Sequence, residues 1–445
     1  MYLPIEMKCS LKNAHFCIMC RTRILLTITL GLSLCFAAKA QKDYARKVVD
    51  TLASPYMAGR GYVDNGCNKA AKYLRAQFKN LGLLPFGKSY EQEFDISVNT
   101  YPKQVEVSID GKLAPDGADY IVIPVTPAMK GTYPIERFDR SILLDSNKLQ
   151  SFLNKDHSNS FILVDDSGAA DKKEKEMWDK ATSNPFKAKG IIRLCNKLTE
   201  ETSDTVLNYA LLNALRNTAF SKGKTISLNI QNKFIKDYAT ENLIGYIKGS
   251  VQPDSFIVFS AHYDHLGRIG NIYFPGANDN ASGTAMLLCM ARYYNSLKTK
   301  PPYSIVFMAF SAEETGLKGS HYYTQHPLFP MSKIKFLLNM DIMGTGDEGI
   351  TVVNATIYDR AFKDLKGIND SLHLLKEVHP RGTTSNSDHY FFYKNHVPDF
   401  FIYTMGGIKA YHDIYDKRET LPLTDFDNVF KLLIDFTDDI CTHRF

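Results

Sequence analysis

From Glu241 onward, short and wholly apolar segments alternate with longer amphipathic ones, and this pattern constrains the fold more than any other feature. "SFIVFSA" (255–261), "YSIVFMAF" (303–310) and "KIKFLLNM" (333–340) read as buried strands. Each is short, continuous and rich in β-forming residues. "NASGTAMLLCMARYYNSL" (280–297) and the stretch opening at "GLKGSHYYTQH" (316–326) read as helices. Strand–helix alternation with apolar strands implies an α/β three-layer sandwich around a mixed, mostly parallel sheet. Ligands on such sheets bind just beyond the carboxyl ends of the strands.

That rule selects residues. The first strand ends in "HYDH" (262–265), the second in "SAEE" (311–314) and the third in Asp341. Between the first two lies "PGANDNASG" (275–283), a glycine-bounded turn that presents Asp279 ahead of a helix. Further on, "SNSDHYFF" (385–392) sets His389 beside Asp388. His262, Asp279, Glu314, Asp341 and His389 thus offer two imidazoles and three carboxylates, without thiolates. Such a set suits zinc. Five ligands exceed the usual three of one catalytic zinc, whereas two zinc ions bridged by a carboxylate use all five. Two dications would also relieve the repulsion between the adjacent Glu313 and Glu314.

The 445 residues are more than one small core needs. Residues 41–100 hold two helical patterns, over 43–52 and about 68–81, separated by the turn "SPYMAGRG" (54–61). Gly82 reads as the C-cap of the second helix and Pro85 as its stop. Residues 101–236 change character. "QVEVSIDG", "YIVIPV", "SFILVDD" and "IIRL" read as strands, and "DKKEKEMWDK" as a solvated helix. This stretch is expected to be a separate, mostly β inserted domain. Residues 237–445 complete the catalytic domain. Trp178, the single tryptophan, lies in the insert and is expected to be structural.

Residues 1–40 carry a different signal. Arg21 and Arg23 precede the apolar run 24–38, and "AKA" closes it, the pattern of a secretory signal peptide. The run is short for a membrane span, and no other segment is long and apolar enough for one. The segment holds Lys8, Lys12, Arg21, Arg23 and Lys39 against Glu6, so a formal charge of +5 falls to +1 without it. Near neutrality gives no support to nucleic-acid binding. Of eight cysteines, Cys67, Cys195, Cys289 and Cys441 remain, widely spaced, which excludes a thiolate zinc site. Cys289, in an apolar helix, is expected to be a buried free thiol.

"AHYDH", "PGANDNASG", "SAEETGLKGS", "NMD" and "SDHYFF", in that order, resemble the M28 family of co-catalytic zinc aminopeptidases. The likeness covers residues 241–445, and "AGRG…AAKYL…LGLLP" resembles the family's N-terminal segment. Many members carry a protease-associated (PA-like) insertion where residues 101–236 fall. The resemblance implies two Zn²⁺ and peptide substrates. It makes Asp279 the bridging ligand, His262 and Asp341 the ligands of one zinc, and Glu314 and His389 those of the other. Glu313 matches the general base, and Asp264 the carboxylate that orients His262. "YHDIYD" (411–416) resembles the family's "YHTxxD", with Asp413 in place of Thr, which puts His412 at the substrate pocket. Asn278 stands where an aspartate is common. His265 and His321 read as rim or surface groups, Asp388 as a loop anchor, and Tyr390, Phe391 and Phe392 as core. The competing readings are a one-zinc glutaminyl cyclase, a carboxypeptidase or dipeptidase relative, and a non-catalytic domain that kept the fold. The full ligand set and the lack of tryptophan in the catalytic half weigh against the cyclase, and the ligands weigh against the non-catalytic domain.

Overall fold

A computed structural model describes residues 41–442. The signal-peptide pattern at 1–40 lies outside the described residues. The expected strands are present at Gln252–His262, Tyr303–Phe310 and Ile334–Met340. Their side chains alternate between two apolar layers. Ile257, Phe259 and Ala261 face one core, with Ile305, Phe307, Leu338 and Met340. Val258 faces the other, with Val306, Met308 and Leu337. Burial on both faces explains why these strands lack the polar alternation of a half-exposed sheet.

The three strands are central in a mixed eight-stranded sheet. Its order is Glu91–Thr100, Lys233–Ile247, Tyr303–Phe310, Gln252–His262, Ile334–Met340, Asp399–Met405, Gly349–Val353 and Val378–Pro380. The middle pairings are parallel, from Tyr303–Phe310 through Asp399–Met405. Helices cover both faces. Residues 41–52, Gly66–Asn80, Gly283–Ser296 and Phe426–Thr442 pack into the larger core. Tyr323 and Phe392, from Lys318–Gln325 and His389–Lys394, pack into the smaller one. Leu81 closes the Gly66–Asn80 helix, and Gly82 follows in a left-handed conformation (φ 67°). Glu91–Thr100 was not legible as a strand; it pairs antiparallel with Lys233–Ile247 at the sheet edge.

Residues between these two neighbouring strands build a second eight-stranded sheet. "QVEVSIDG" forms the hairpin Glu106–Ile109 and Lys112–Leu113, and "DKKEKEMWDK" lies in the helix Lys172–Thr182 capped by Asp171. The insert is mostly β, as expected, but its strands are not all antiparallel. Four strands, Met129–Phe138, Phe161–Asp165, Gly190–Cys195 and Ala210–Leu215, run parallel in sequence. Parallel neighbours need crossovers, and the helices Ser146–Asn154 and Lys172–Thr182 lie between them in the chain. Trp178 is buried between this sheet and its helices, against Phe138. The apolar core of this second sheet also takes in Leu266, Ile269 and Phe274 from the catalytic side, so the two sheets are joined by packing. All four cysteines are free among the described residues, and Cys289 is fully buried. No helix among them is long and apolar enough to cross a membrane.

Candidate metal centre

The strand ends converge as their sequence positions imply. His262 is level with Phe310 across a parallel pair, and Ser260 is level with Asn339, two residues before Asp341. His262 Nε2 lies 3.2 Å from Asp279 Oδ1 and 3.3 Å from Asp341 Oδ1. Its Nδ1 lies 3.3 Å from the Asp264 carbonyl oxygen, which only accepts, so Nδ1 carries the hydrogen in the neutral ring. Nε2 is turned to the carboxylates. Burial lowers the pKa of the ring, but their charges outweigh it and raise the pKa, so this nitrogen faces them either as an N–H or, once deprotonated, as a ligand for a cation held between them.

Ala312 explains the two glutamates. Its left-handed backbone (φ 56°) turns the chain as the strand ends. The Glu313 amide donates to Asp264 Oδ1 at 3.1 Å, and the Glu313 carbonyl accepts from Gly316 and Leu317. The two side chains are thereby sent apart. Glu313 Oε2 lies 4.0 Å from His262 Nε2. Glu314 Oε1 lies 2.6 Å from His265 Nδ1, and its Oε2 lies 3.2 Å from His412 Nε2.

Asp279 sits in the tight turn Ala277–Ser282, entered through Gly276 at φ 58°. Asp416 holds that turn, accepting from the amides of Asn278 (2.8 Å) and Asp279 (3.0 Å). Asp279 faces two imidazoles at once: Oδ1 is turned to His262, and Oδ2 lies 3.0 Å from His412 Nε2. Asp341 is fixed by a chain of polar contacts. Ser387 Oγ donates to Asp341 Oδ2 at 2.8 Å, Asn339 donates to Ser387 at 2.8 Å, and Ser260 donates to Asn339 at 2.7 Å.

His389 does not join the cluster. It occupies the first position of the helix His389–Lys394, its ring lies against Phe401 (5.0 Å between centroids), and neither ring nitrogen has a partner. Burial lowers its pKa to about 4, so the ring is neutral. His412 takes the place expected of His389. The expectation that His265 is a rim group is also corrected: it is fully buried against Glu314. Asp264 is wholly buried, with Oδ1 3.8 Å from His262 Nδ1, farther than its own carbonyl oxygen. Phe392 is core, whereas Phe391 stacks on His321 nearer the surface.

Charge follows from this crowding. Burial pushes the Glu313 carboxyl well above the usual range, and Glu314 and Asp341 add to that against the pull of His262. Burial also acts on Glu314, but His412 and His265 outweigh it and hold the pKa at about 2. For His412, burial is overcome by Glu314 and Asp279, and the pKa is pushed up to about 12.

Further participants come from the "YHDIYD" motif and from the inserted segment, and the latter gave no functional signal in the sequence. Tyr411 stacks on the His412 ring at 4.0 Å and is 42% exposed at the rim. Residues 197–204, from the inserted segment, form a strap beside the centre. His412 Nδ1 donates to the Glu200 carbonyl at 2.9 Å, and the Glu200 amide donates back to the His412 carbonyl at 2.8 Å. Thr202 Oγ1 donates to the Glu314 carbonyl at 2.7 Å. Lys318 pairs with Asp204 at 2.6 Å, and Lys197 with Asp413 at 3.5 Å.

The donor set fits zinc. His262, Asp279 and Glu314 form one group whose ligand atoms lie close enough to share an ion. His262, Glu313 and Asp341 form another. Separations of 3.2 and 3.3 Å are the edges expected of a tetrahedron with metal–ligand bonds of about 2.0–2.1 Å.

The mixed-sheet α/β sandwich gathers imidazoles and carboxylates at its strand ends, where α/β sheets bind their ligands, and so has the form of a metal-binding scaffold. Residues 242–437, a little under half of the chain, match Peptidase family M28. It is 34% identical over 134 residues to aminopeptidase YwaD of Bacillus subtilis (strain 168), a match covering 29% of this chain and 27% of that protein. It is 31% identical over 131 residues to aminopeptidase NAALADL1 of Mus musculus, covering 28% of this chain and 16% of that one. The chain thus spans about a quarter or less of the length of these curated relatives. The fold extends further. A crystal structure of BSAP, a zinc aminopeptidase from Bacillus subtilis, superposes with a TM-score of 0.67 at 18% identity, covering 89% of this chain and 94% of that one. A peptidase M28 precursor from Shewanella amazonensis SB2B gives 0.67 at 17% identity, covering 93% and 98%.

Proposed function

We propose that this protein is an exported metallo-exopeptidase that releases N-terminal residues from peptides at a two-zinc centre. The carrying observation is the two-sided placement of Asp279, with Oδ1 at His262 and Oδ2 at His412. A carboxylate that faces two imidazoles through different oxygens is suited to bridge two ions. In this reading His262 and Asp341 complete one zinc site, and Glu314 and His412 complete the other. His265 orients Glu314 through the oxygen that the metal does not need, and Asp264 orients His262.

Zinc bound there supplies a Lewis acid for the scissile carbonyl and eases deprotonation of the attacking water. Glu313 takes the proton of that water and passes it to the leaving amine. Its buried, acid-crowded position raises its basicity, which suits it to hold a proton between the two transfers. The carboxylates around it attract the free α-ammonium of a peptide, and this favours cleavage at the N-terminus. The match to Peptidase family M28 over residues 242–437 and the names of the relatives support the peptidase reading. The charged flank, apolar run and "AKA" of residues 1–40 support export. The second sheet, inserted between two neighbouring strands of the first, supports a PA-like insert at 101–236.

One experiment tests the proposal. The zinc-loaded protein is assayed for metal per chain and for turnover of aminoacyl amides, their N-acetylated forms and an N-terminal glutaminyl peptide. Two zinc ions per chain with release from free but not acetylated amines is the expected result. Cyclisation of the glutaminyl peptide with one zinc per chain would replace the proposal by an acyltransferase.

A further inference from the structure

The turn "AGRG" carries a cation into the centre. Ala58, Gly59 and Arg60 all adopt left-handed backbone (φ 47°, 67° and 53°). The turn is zipped to the loop after His262: the Gly267 amide donates to the Gly59 carbonyl at 3.0 Å, and the His265 amide donates to the Arg60 carbonyl at 3.3 Å. A Cβ at Gly59 would stand 2.3 Å from the Gly267 oxygen, and one at Gly61 would stand 2.3 Å from the Gly267 Cα. Only a residue without a side chain allows backbones to meet this closely. The two glycines therefore let Arg60 enter where bulkier flanks would not.

Arg60 is fully buried. A guanidinium has five N–H donors, and all are used on backbone carbonyls. Nε donates to Tyr263 at 2.8 Å. Nη1 donates to Leu52 (3.1 Å) and Pro275 (2.8 Å), and Nη2 to Gly276 (2.8 Å) and Asp279 (3.1 Å). Tyr263 adjoins His262. Pro275, Gly276 and Asp279 belong to the turn that carries the two-sided carboxylate. The fixed positive charge also lies in the field of Asp279, Asp416, Asp264 and Glu314. Four carboxylates brought together without a permanent cation repel one another, and a guanidinium keeps its charge when buried.

We infer that Arg60 is a positioning residue of the metal centre: its five carbonyl contacts fix the His262 and Asp279 loops relative to each other, and its charge lowers the cost of assembling the carboxylates before zinc arrives. The inference rests on the zinc reading given above. It extends that reading to a segment outside the family match at 242–437.

The test compares the full-length wild type with Arg60→Met and Arg60→Lys. Zinc affinity is read by competition with a chelating dye, and thermal unfolding is read on the metal-free proteins. A residue that orients ligands is worth roughly 10–100-fold in metal affinity. A fall of that size is expected for Arg60→Met. It is also expected for Arg60→Lys, because an ammonium has three donors and cannot serve five carbonyls. Arg60→Ala adds a further reading: guanidinium ion at millimolar concentration should restore part of its zinc affinity. Affinity within threefold of wild type in the folded Met and Lys variants would overturn the inference. So would failure of both variants to fold, since Arg60 would then serve the fold rather than the centre. A wild type that binds no zinc is a distinct result; it overturns the reading of the site, and the inference with it.

Discussion

His412 and Asp279 face each other at 3.0 Å between Nε2 and Oδ2, although they come from opposite ends of the catalytic half of the chain. The Glu200 carbonyl takes the hydrogen of His412 Nδ1, so Nε2 is the nitrogen that would exchange its proton for an ion. This contact separates two histidines that the sequence reading placed differently, His389 as a ligand and His412 at the substrate pocket. His412→Ala should lose one zinc per chain and most activity. His389→Ala should keep both zincs, because the wild-type ring has no contact with Glu314 or Asp279 among the described residues. Metal analysis after dialysis against trace zinc checks both. Zinc loss from the His389 variant with retention in the His412 variant would reverse the assignment.

Glu313→Gln keeps the size and removes the base. Its Oε2 is 4.0 Å from His262 Nε2, farther than Asp279 or Asp341. Zinc content should therefore stay at the wild-type level while kcat falls by about 10²–10⁴, the range for general-base catalysis. Steady-state kinetics beside metal analysis decides this; near-normal kcat would remove Glu313 from the mechanism.

Most of the centre was legible because one rule served four times. His262, Glu313, Glu314 and Asp341 follow apolar runs, and residues that follow strands of a parallel sheet lie at its carboxyl edge. The same rule, applied further, distinguishes the C-terminal histidines. His412 follows the strand Asp399–Met405, whereas His389 precedes it in a helix. The sequence cue was present in "DFFIYTM", but two motifs with adjacent Asp and His residues obscured it. His265 and Arg60 were not legible for another reason. Their roles depend on how the "AGRG" turn and the 263–267 loop press together, and such a long-range backbone contact has no local pattern. The parallel pairing within the inserted sheet was not legible, because short apolar runs mark strands without giving their direction.

Thr202 ties the inserted strap to the centre. Its hydroxyl donates to the Glu314 carbonyl at 2.7 Å and lies 3.1 Å from Thr315 Oγ1. Thr202→Val preserves the shape and removes the donor, at a cost of about 1 kcal/mol for such a bond. A three- to tenfold fall in kcat/KM is expected, with zinc stoichiometry unchanged. Unchanged kinetics would mean that the strap packs beside the centre without holding Glu314.

Asp116 gives the interface between insert and catalytic half a pH dependence that does not need the metal. Burial raises its carboxyl to about 7, against the pull of the Gly117 amide, and Oδ1 has no partner. Gly117 packs within reach of Ile272 and Ile414 from the catalytic side, so the group lies where the two halves meet. The folded state binds this proton more tightly than the unfolded chain, whose carboxyl titrates near 3.9. The associated stability is therefore fully present below about pH 4 and is lost as pH rises through about 7. Asp116→Asn cannot ionise and should flatten that loss. Near pH 4 the variant should match the wild type, and at pH 8 it should be more stable by about 2–4 kcal/mol, since each pH unit between the two titrations is worth roughly 1.4 kcal/mol. Glu200 is buried and displaced in the same direction with Asp116 beside it, so some slope remains in the variant. Denaturant unfolding at pH 4.5, 6 and 8 measures the difference; equal or lower stability of the variant at pH 8 would show that Asp116 is ionised and accommodated in the folded protein.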